Sequence, residues 1–227
     1  MGGKKTARVN RTLAFFDDPQ SFLELTATAI LYNRSKLDDS ELLAIRLNGT
    51  SDIPFETIKF NVSKDLSRYW KIKFGHYIVP TEYESIIHLF SHYPELLVKF
   101  YDYTKIKRNW AECRRLGYHL TFSFDGWNNA ANLKLCKDAL ANGVNVAAAF
   151  NLKKKENLPE YIDCTAIYGE NSAYNGRMLY VQDGDLSDYR PNDQHGVENG
   201  GSIIGLRFKL PHGTKYTAEE KAAFCIA

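Results

Sequence analysis

Apolar and polar positions along the chain alternate between two rhythms. Period-two runs appear at residues 42–48, 96–104, 118–124 and 144–150, and period-3.6 runs lie between them. Asp18-Pro19 reads as an N-cap with proline at the first helical position. It opens a helix over residues 19–32 with Phe22, Leu25, Ala29 and Tyr32 on one stripe. Thr81-x-x-Glu84 has the form of a capping box and introduces a helix through Ile86, Ile87, Leu89 and Phe90 that stops near Pro94. Further helices are predicted over residues 110–116 and 129–141, the second closed by Asn142-Gly143. Strands are predicted again at residues 164–168, 178–182 and 202–209.

Strands alternating with helices argue for parallel βαβ units. The pattern predicts an α/β fold, a TIM-like closed or partly open β/α barrel, as one domain over residues 1–227. The segment 53–79, rich in Ile58, Phe60, Val62, Tyr69, Trp70, Ile72 and Phe74, reads as a hairpin-like insertion within it. Leu120, Phe122 and Phe124 oppose His119, Thr121, Ser123 and Asp125, and Val144, Val146, Ala148 and Phe150 oppose Asn145, Ala147, Ala149 and Asn151. One face is apolar and the other small or polar. That suggests a polar barrel interior, and the competing reading is the solvent face of an open sheet.

Composition narrows the class. No apolar run approaches the length of a membrane span, and Met1-Gly2-Gly3-Lys4-Lys5 has no apolar stretch behind it, so no membrane association is expected and a cytoplasmic location is the default. Cys113, Cys136, Cys164 and Cys225 are widely spaced with no C-x-x-C, which predicts four reduced thiols and neither a zinc knuckle nor a cluster. A net charge of +2 does not announce a nucleic-acid binder, although Lys4, Lys5, Arg8 and Arg11, Lys105, Lys107 and Arg108, and Lys153 to Lys155 form local basic groups.

Three strands run into clustered polar residues, as strands do where α/β barrels build a site. On this reading Arg46 and Lys105 meet an anion, and Asn48, Asp52, Thr104 and Ser123 orient it. Asp102, His119 and Asp125 are the acid/base candidates. A nucleotide, a nucleic-acid end or a phosphorylated metabolite fits. Arg46 is expected to pair with Asp102 in one cavity shared with His119 and Ser123. Asp183, Asp185 and Asp188 form an acidic turn, which either holds a divalent cation or is neutralised by Arg190; the second is favoured, because the flanking residues supply few further oxygen ligands. His88 and His92 have the i, i+4 spacing of a metal helix without its Glu, and are read as ordinary surface residues. No metal or cofactor is assigned. The rival reading is a non-enzymatic protein that blocks or recruits a host factor through the 53–79 insertion and its tyrosines.

Several segments together resemble a known family: Ala7-Arg8-Val9-Asn10-Arg11-Thr12 with Phe15-Phe16; Ile45-Arg46-Leu47-Asn48-Gly49-Thr50-Ser51-Asp52-Ile53-Pro54; and Phe100-Tyr101-Asp102-Tyr103-Thr104-Lys105. Tyr118-His119-Leu120-Thr121-Phe122-Ser123, Asp183-Gly184-Asp185 with Asp188 and Arg190, and Ile204-Gly205-Leu206 extend the likeness in the same order. They look like the bacteriophage proteins named after mycobacteriophage gene product eighty-eight. The resemblance implies a phage or prophage origin and a barrel pattern similar to that of radical S-adenosylmethionine proteins. Longer members carry a cysteine-rich segment upstream of the Ala7–Thr12 equivalent. This chain begins just after that point, so the resemblance supplies no cluster ligands here. Residues 58–79 are longer than the family pattern, which suggests a specialised lid or partner surface.

Overall fold

The computed structural model describes residues 2–49, 51–168, 177–193, 200–209 and 215–226, so Thr50 of the first strand-end turn lies outside the described residues. Seven strands form one mostly parallel sheet in the order β1-β4-β5-β6-β9-β8-β7, and β2 and β3 form a separate two-stranded ladder. The seven strands are β1 (Leu43–Ile45), β4 (Val98–Thr104), β5 (Tyr118–Ser123), β6 (Val146–Phe150), β7 (Tyr161–Asp163), β8 (Met178–Asp183) and β9 (Ile203–Arg207). β1 is parallel to β4, β5 to β6, β6 to β9 and β9 to β8, whereas β7 is antiparallel to β8. The α/β class is as predicted, but the closed barrel is not: the ladder ends at β1 and at β7, and the sheet is open.

The chain divides into two compact units. The first comprises Met1–Tyr101 and Ala111–Tyr118, the second Asp102–Trp110 and His119–Ala227.

In the first unit, α1 (Gly2–Asp17) is followed by α2 (Pro19–Arg34), whose entry Asp18 fixes by accepting a hydrogen bond from the Ser21 amide at 3.1 Å. Leu23, Ala27, Ile30, Leu31 and Arg34 form the buried stripe of α2. Buried Arg34 is satisfied entirely by carbonyls, donating to Leu96 at 2.5 Å, Leu37 at 3.2 Å and Asp38 at 3.1 Å. The segment 53–79 is not a hairpin. It contains a short 3-10 turn (Phe55–Thr57), β2 (Phe60–Asn61) and α3 (Lys64–Phe74), and β2 pairs with β3 (Glu82–Tyr83). The Ser63 hydroxyl caps α3 by accepting from Leu66 N, Leu66 and Trp70 recur at helical spacing, and Gly75 ends it at φ +82°. Those spacings outweigh the β propensity of the individual aromatics. Likewise Ser85, not Thr81, caps α4 (Ile86–Ser91), because Glu82 and Tyr83 are extended in β3. Trp70 anchors the core, stacked on Phe90 and 4.8 Å from the Tyr93 ring.

α5 (Trp110–Arg115) spans the boundary between the units. In the second unit, α6 (Ala130–Ala141) is capped by Asn129. The faces of β5 and β6 that read as a wet interior are packed: Thr121, Asn145 and Ala147 are buried. Asn145 is satisfied within the fold, its Oδ1 accepting from the Ser202 amide and hydroxyl. Central parallel strands are covered on both faces, so small side chains there reflect close packing rather than a lumen. Cys164 does not begin a strand: Asp163 Oδ1 accepts from Thr165 N and starts α7 (Thr165–Tyr168). Past β9, Thr217 and Glu220 form a reciprocal capping box on α8 (Ala218–Phe224). The residues after α8 enter the lane that β5 vacates beside β6: Ile226 N donates to Ala149 O at 2.8 Å, and Trp127 Nε1 donates to Cys225 O at 2.8 Å. All four cysteines are free and buried; Cys113 lies on α5 and Cys136 on α6. Among the described residues no helix is long and apolar enough to cross a membrane.

Candidate functional site

The strand-end residues fall into two sets, one in each unit. In the first, Arg46 follows β1 directly and lines a groove of about 490 Å³. The groove is walled by α1 and α2 through Arg11, Thr12, Phe15, Phe22 and Leu25, and by the β1 loop through Gly49, Ser51, Ile53 and Phe55. Arg11 and Arg46 therefore both line a largely aromatic and aliphatic concavity. The Arg46 guanidinium also lies 5.8 Å from the centre of the Tyr101 ring, a cation–π distance. Phe15 forms edge-on contacts with Phe22 and Phe55 that hold this wall together.

Asn48 lies in the same loop but is buried and engaged by it. Its Oδ1 accepts from the Ile53 amide at 2.9 Å and the Ser51 hydroxyl at 2.8 Å, and its Nδ2 donates to Ile53 O at 2.9 Å. An amide so engaged shapes the loop that carries Ser51 and Asp52 rather than facing a ligand. Asp52 is half-buried in that loop.

In the second unit, β4 and β5 bring Thr104, Lys105, Ser123 and Asp125 to their carboxyl ends. Lys105 is ion-paired with Asp125, which also accepts from Asn129 Nδ2 at 3.4 Å. Buried Asn132 ties the corner by accepting from the Asp125 amide and donating to Ser123 O. Thr104 Oγ1 accepts from Arg108 Nε at 3.2 Å and from the Ile106 amide at 3.3 Å, so it fastens the loop after β4. Asp102 is fully buried on β4. His119 is the second residue of β5, four residues before Ser123, which at the rise of a strand places it about 13 Å from the end where Asp125 lies. His119 thus stands apart from the Lys105–Asp125 cluster.

The acidic turn is paired by cations other than the one expected. Arg207, at the end of β9, lies 2.8 Å from Asp183 and 3.3 Å from Asp185, and Lys209 lies 2.8 Å from Asp185. The Arg207 hydrogen bond holds the Asp183 carboxyl below its usual range. Burial raises the Asp185 value, but Lys209 and the Arg207 backbone and side chain outweigh it, so that carboxyl too is lowered. Arg190 instead turns inward, with 1 % of its surface exposed. It donates from Nη2 to Gly184 O at 3.1 Å and lies 3.2 Å from Asp193, close enough for an ion pair but not aligned as a hydrogen bond. The geometry of parallel β8 and β9 explains the exchange: Asp183 is level with Gly205, so Arg207, two residues on and on the same face of β9, reaches it. Asp188 is exposed. Among the described residues no group of three or more His, Cys, Asp or Glu is placed to hold a metal ion.

Arg11 stood out in the sequence only as part of a local basic group, and the cations Arg207 and Lys209 did not stand out at all. A lone arginine interrupting the apolar run Ile203 to Leu206 was the available signal for Arg207.

In comparison with known proteins, the family model described as Gene product 88 matches residues 2–227. No curated protein and no solved structure matches the chain.

Proposed function

The chain belongs to the Gene product 88 family, a bacteriophage gene-product family, and from that premise we propose that it binds an anionic ligand with an apolar or aromatic body, a nucleotide being the best fit, in the groove beside β1. The observation that carries this reading is the pairing of Arg11 and Arg46 with the Phe15, Phe22 and Phe55 wall. Guanidinium groups recognise phosphate oxygens in a bidentate fork, and aromatic walls accept a base or other flat group. Arg46 at the carboxyl end of β1 is where parallel α/β sheets place ligands. The role is one of binding: His119 and Asp125 lie at opposite ends of β5, so the acid/base pair expected of them is not part of the proposal.

Isothermal titration with nucleoside 5′-triphosphates and the matching nucleosides tests it. Triphosphate binding should exceed nucleoside binding, and Arg46→Ala should weaken it by roughly tenfold or more, the loss of a charge-assisted contact. Equal binding of nucleoside and nucleotide, or no effect of Arg46→Ala and Arg11→Ala together, would refute the assignment. The interaction-protein reading has its own support in the exposed side chains Ile72, Tyr77 and Val79 of the 53–79 segment.

A further inference from the structure

Two helices of the first unit carry a second feature outside the groove. On α2 and just beyond it, Tyr32 and Lys36 are one turn apart, and the Lys36 ammonium lies 3.9 Å from the centre of the Tyr32 ring. From α3, Lys73 lies 5.7 Å from the same Tyr32 ring and 5.7 Å from that of Tyr69. Lys71 lies 4.2 Å from the ring of Tyr77. Tyr32, Lys36, Tyr69 and Lys73 therefore interleave on one surface, with Tyr32 exposed, whereas Lys71, two residues from Lys73 and so about 200° round α3, leaves the helix with Tyr77 on another side.

The charge on this surface is uncompensated. Among the described residues, no carboxylate comes within 4.0 Å of Lys36, Lys71 or Lys73. Other cations of the same unit are paired instead: Lys59 with Glu82, Arg68 with Asp65, and Arg115 with Glu84 and Glu112. α3 alone carries Lys64, Arg68, Lys71 and Lys73 against a single acid, Asp65. The overall charge of +2 conceals this concentration.

We propose that the Tyr32–Lys36–Tyr69–Lys73 surface binds a nucleic-acid single strand. Ring faces offer stacking platforms that every base can use, and the ammonium groups between them meet the phosphates of the same strand. A duplex hides its base faces, so it would use only the lysines. A membrane offers headgroups but no flat partners for the rings. Base faces and phosphates are common to DNA and RNA, so the rings and ammonium groups select the single strand and not its sugar. The proposal rests on residues outside the groove and does not depend on what the groove holds.

Fluorescence anisotropy with a labelled oligo-dT of about 12 nucleotides, within the length such surfaces cover, provides the test. Binding should weaken with salt, with a slope of log K against log salt of about −1.4 for two phosphate contacts to a single strand. Lys36→Ala/Lys73→Ala should flatten that slope by about 1.4, and Lys71→Ala should not. Tyr32→Ala should weaken binding by about tenfold at constant salt, a loss expected of one stacked base. These are surface changes, and unchanged circular-dichroism melting will show that each variant folds. Arg46→Ala should leave oligonucleotide binding intact whether or not it abolishes nucleotide binding, so the two assignments fail separately. No binding at low salt, equal affinity for a duplex of the same length, tighter binding of anionic vesicles, or insensitivity to both sets of variants would overturn the proposal.

Discussion

Replacing Arg190 should reveal how much the second unit depends on one buried ion pair. Arg190 has 1 % of its surface exposed and lies 3.2 Å from the Asp193 carboxylate, whose side chain is itself only 11 % exposed. Arg190→Ala leaves that carboxylate without this cation, leaves Gly184 O without its donor, and opens space where the side chain packed. A Cβ on Gly184 would stand 3.1 Å from Arg190 Nη1, which shows how closely the guanidinium is enclosed. Breaking one side of a buried pair costs about 3–5 kcal/mol. That is a large part of the roughly 5–15 kcal/mol by which a domain is stable. The cost of neutralising Asp183, Asp185 and Asp188 does not enter, because Arg207 and Lys209 carry that task. Urea unfolding followed by circular dichroism is the assay, with Asp193→Ala and the double variant completing a cycle. The double variant should lose less than the sum of the singles, with a coupling of about 1–3 kcal/mol. An Arg190→Ala loss below about 1 kcal/mol, or strict additivity in the cycle, would show that the pair does not hold the turn.

Two further outcomes follow from other contacts. Asp183 has its carboxyl lowered by Arg207, so its contribution to stability is present above the unfolded pKa of about 3.9 and is lost as pH falls through the lower folded value. Arg207→Gln should therefore be less stable than the parent at pH 7, and the difference in urea midpoint should shrink below about pH 4; a difference that grows on acidification would contradict the pairing. Gly126 has φ +93°, and a Cβ there would lie 2.7 Å from Ala223 O, so Gly126→Ala should displace the segment after α8 and speed reaction of the Cys225 thiol with a disulfide reagent, identified by its absence in Cys225→Ser; an unchanged rate and unchanged stability would show that this contact is not what holds the segment.

The rhythm of strands and helices was legible because it rests on local spacing. Asp18 caps the helix it was expected to cap, Asn129 caps rather than begins the helix expected from it, β1, β4, β5 and β6 lie within the period-two runs, and β8 and β9 lie where further strands were expected. Closure was not legible. Whether a ladder ends or joins itself depends on pairing between strands distant in sequence, and small residues such as Ala147 on a packed face read the same as residues lining a lumen. In the 53–79 segment, aromatic content suggested strands where the Ser63 cap and the Leu66–Trp70 spacing called for a helix. The Thr217-x-x-Glu220 box was equally readable and marked α8. Site residues were harder, because the sequence names polar groups but not their partners. Asn48 looked like a ligand contact and is a loop clamp, while Arg190 and Arg207 exchanged roles.

An open sheet has two rims, and here both outermost strands, β1 and β7, are three residues long. A rim that short offers an incoming strand only one or two ladder bonds, too few to offset the ordering of its backbone. Polymerisation by strand addition is therefore poorly templated at either end. At high concentration, self-association of this fold falls to its side-chain surfaces, where charge and salt can govern it, rather than to the backbone, where they cannot.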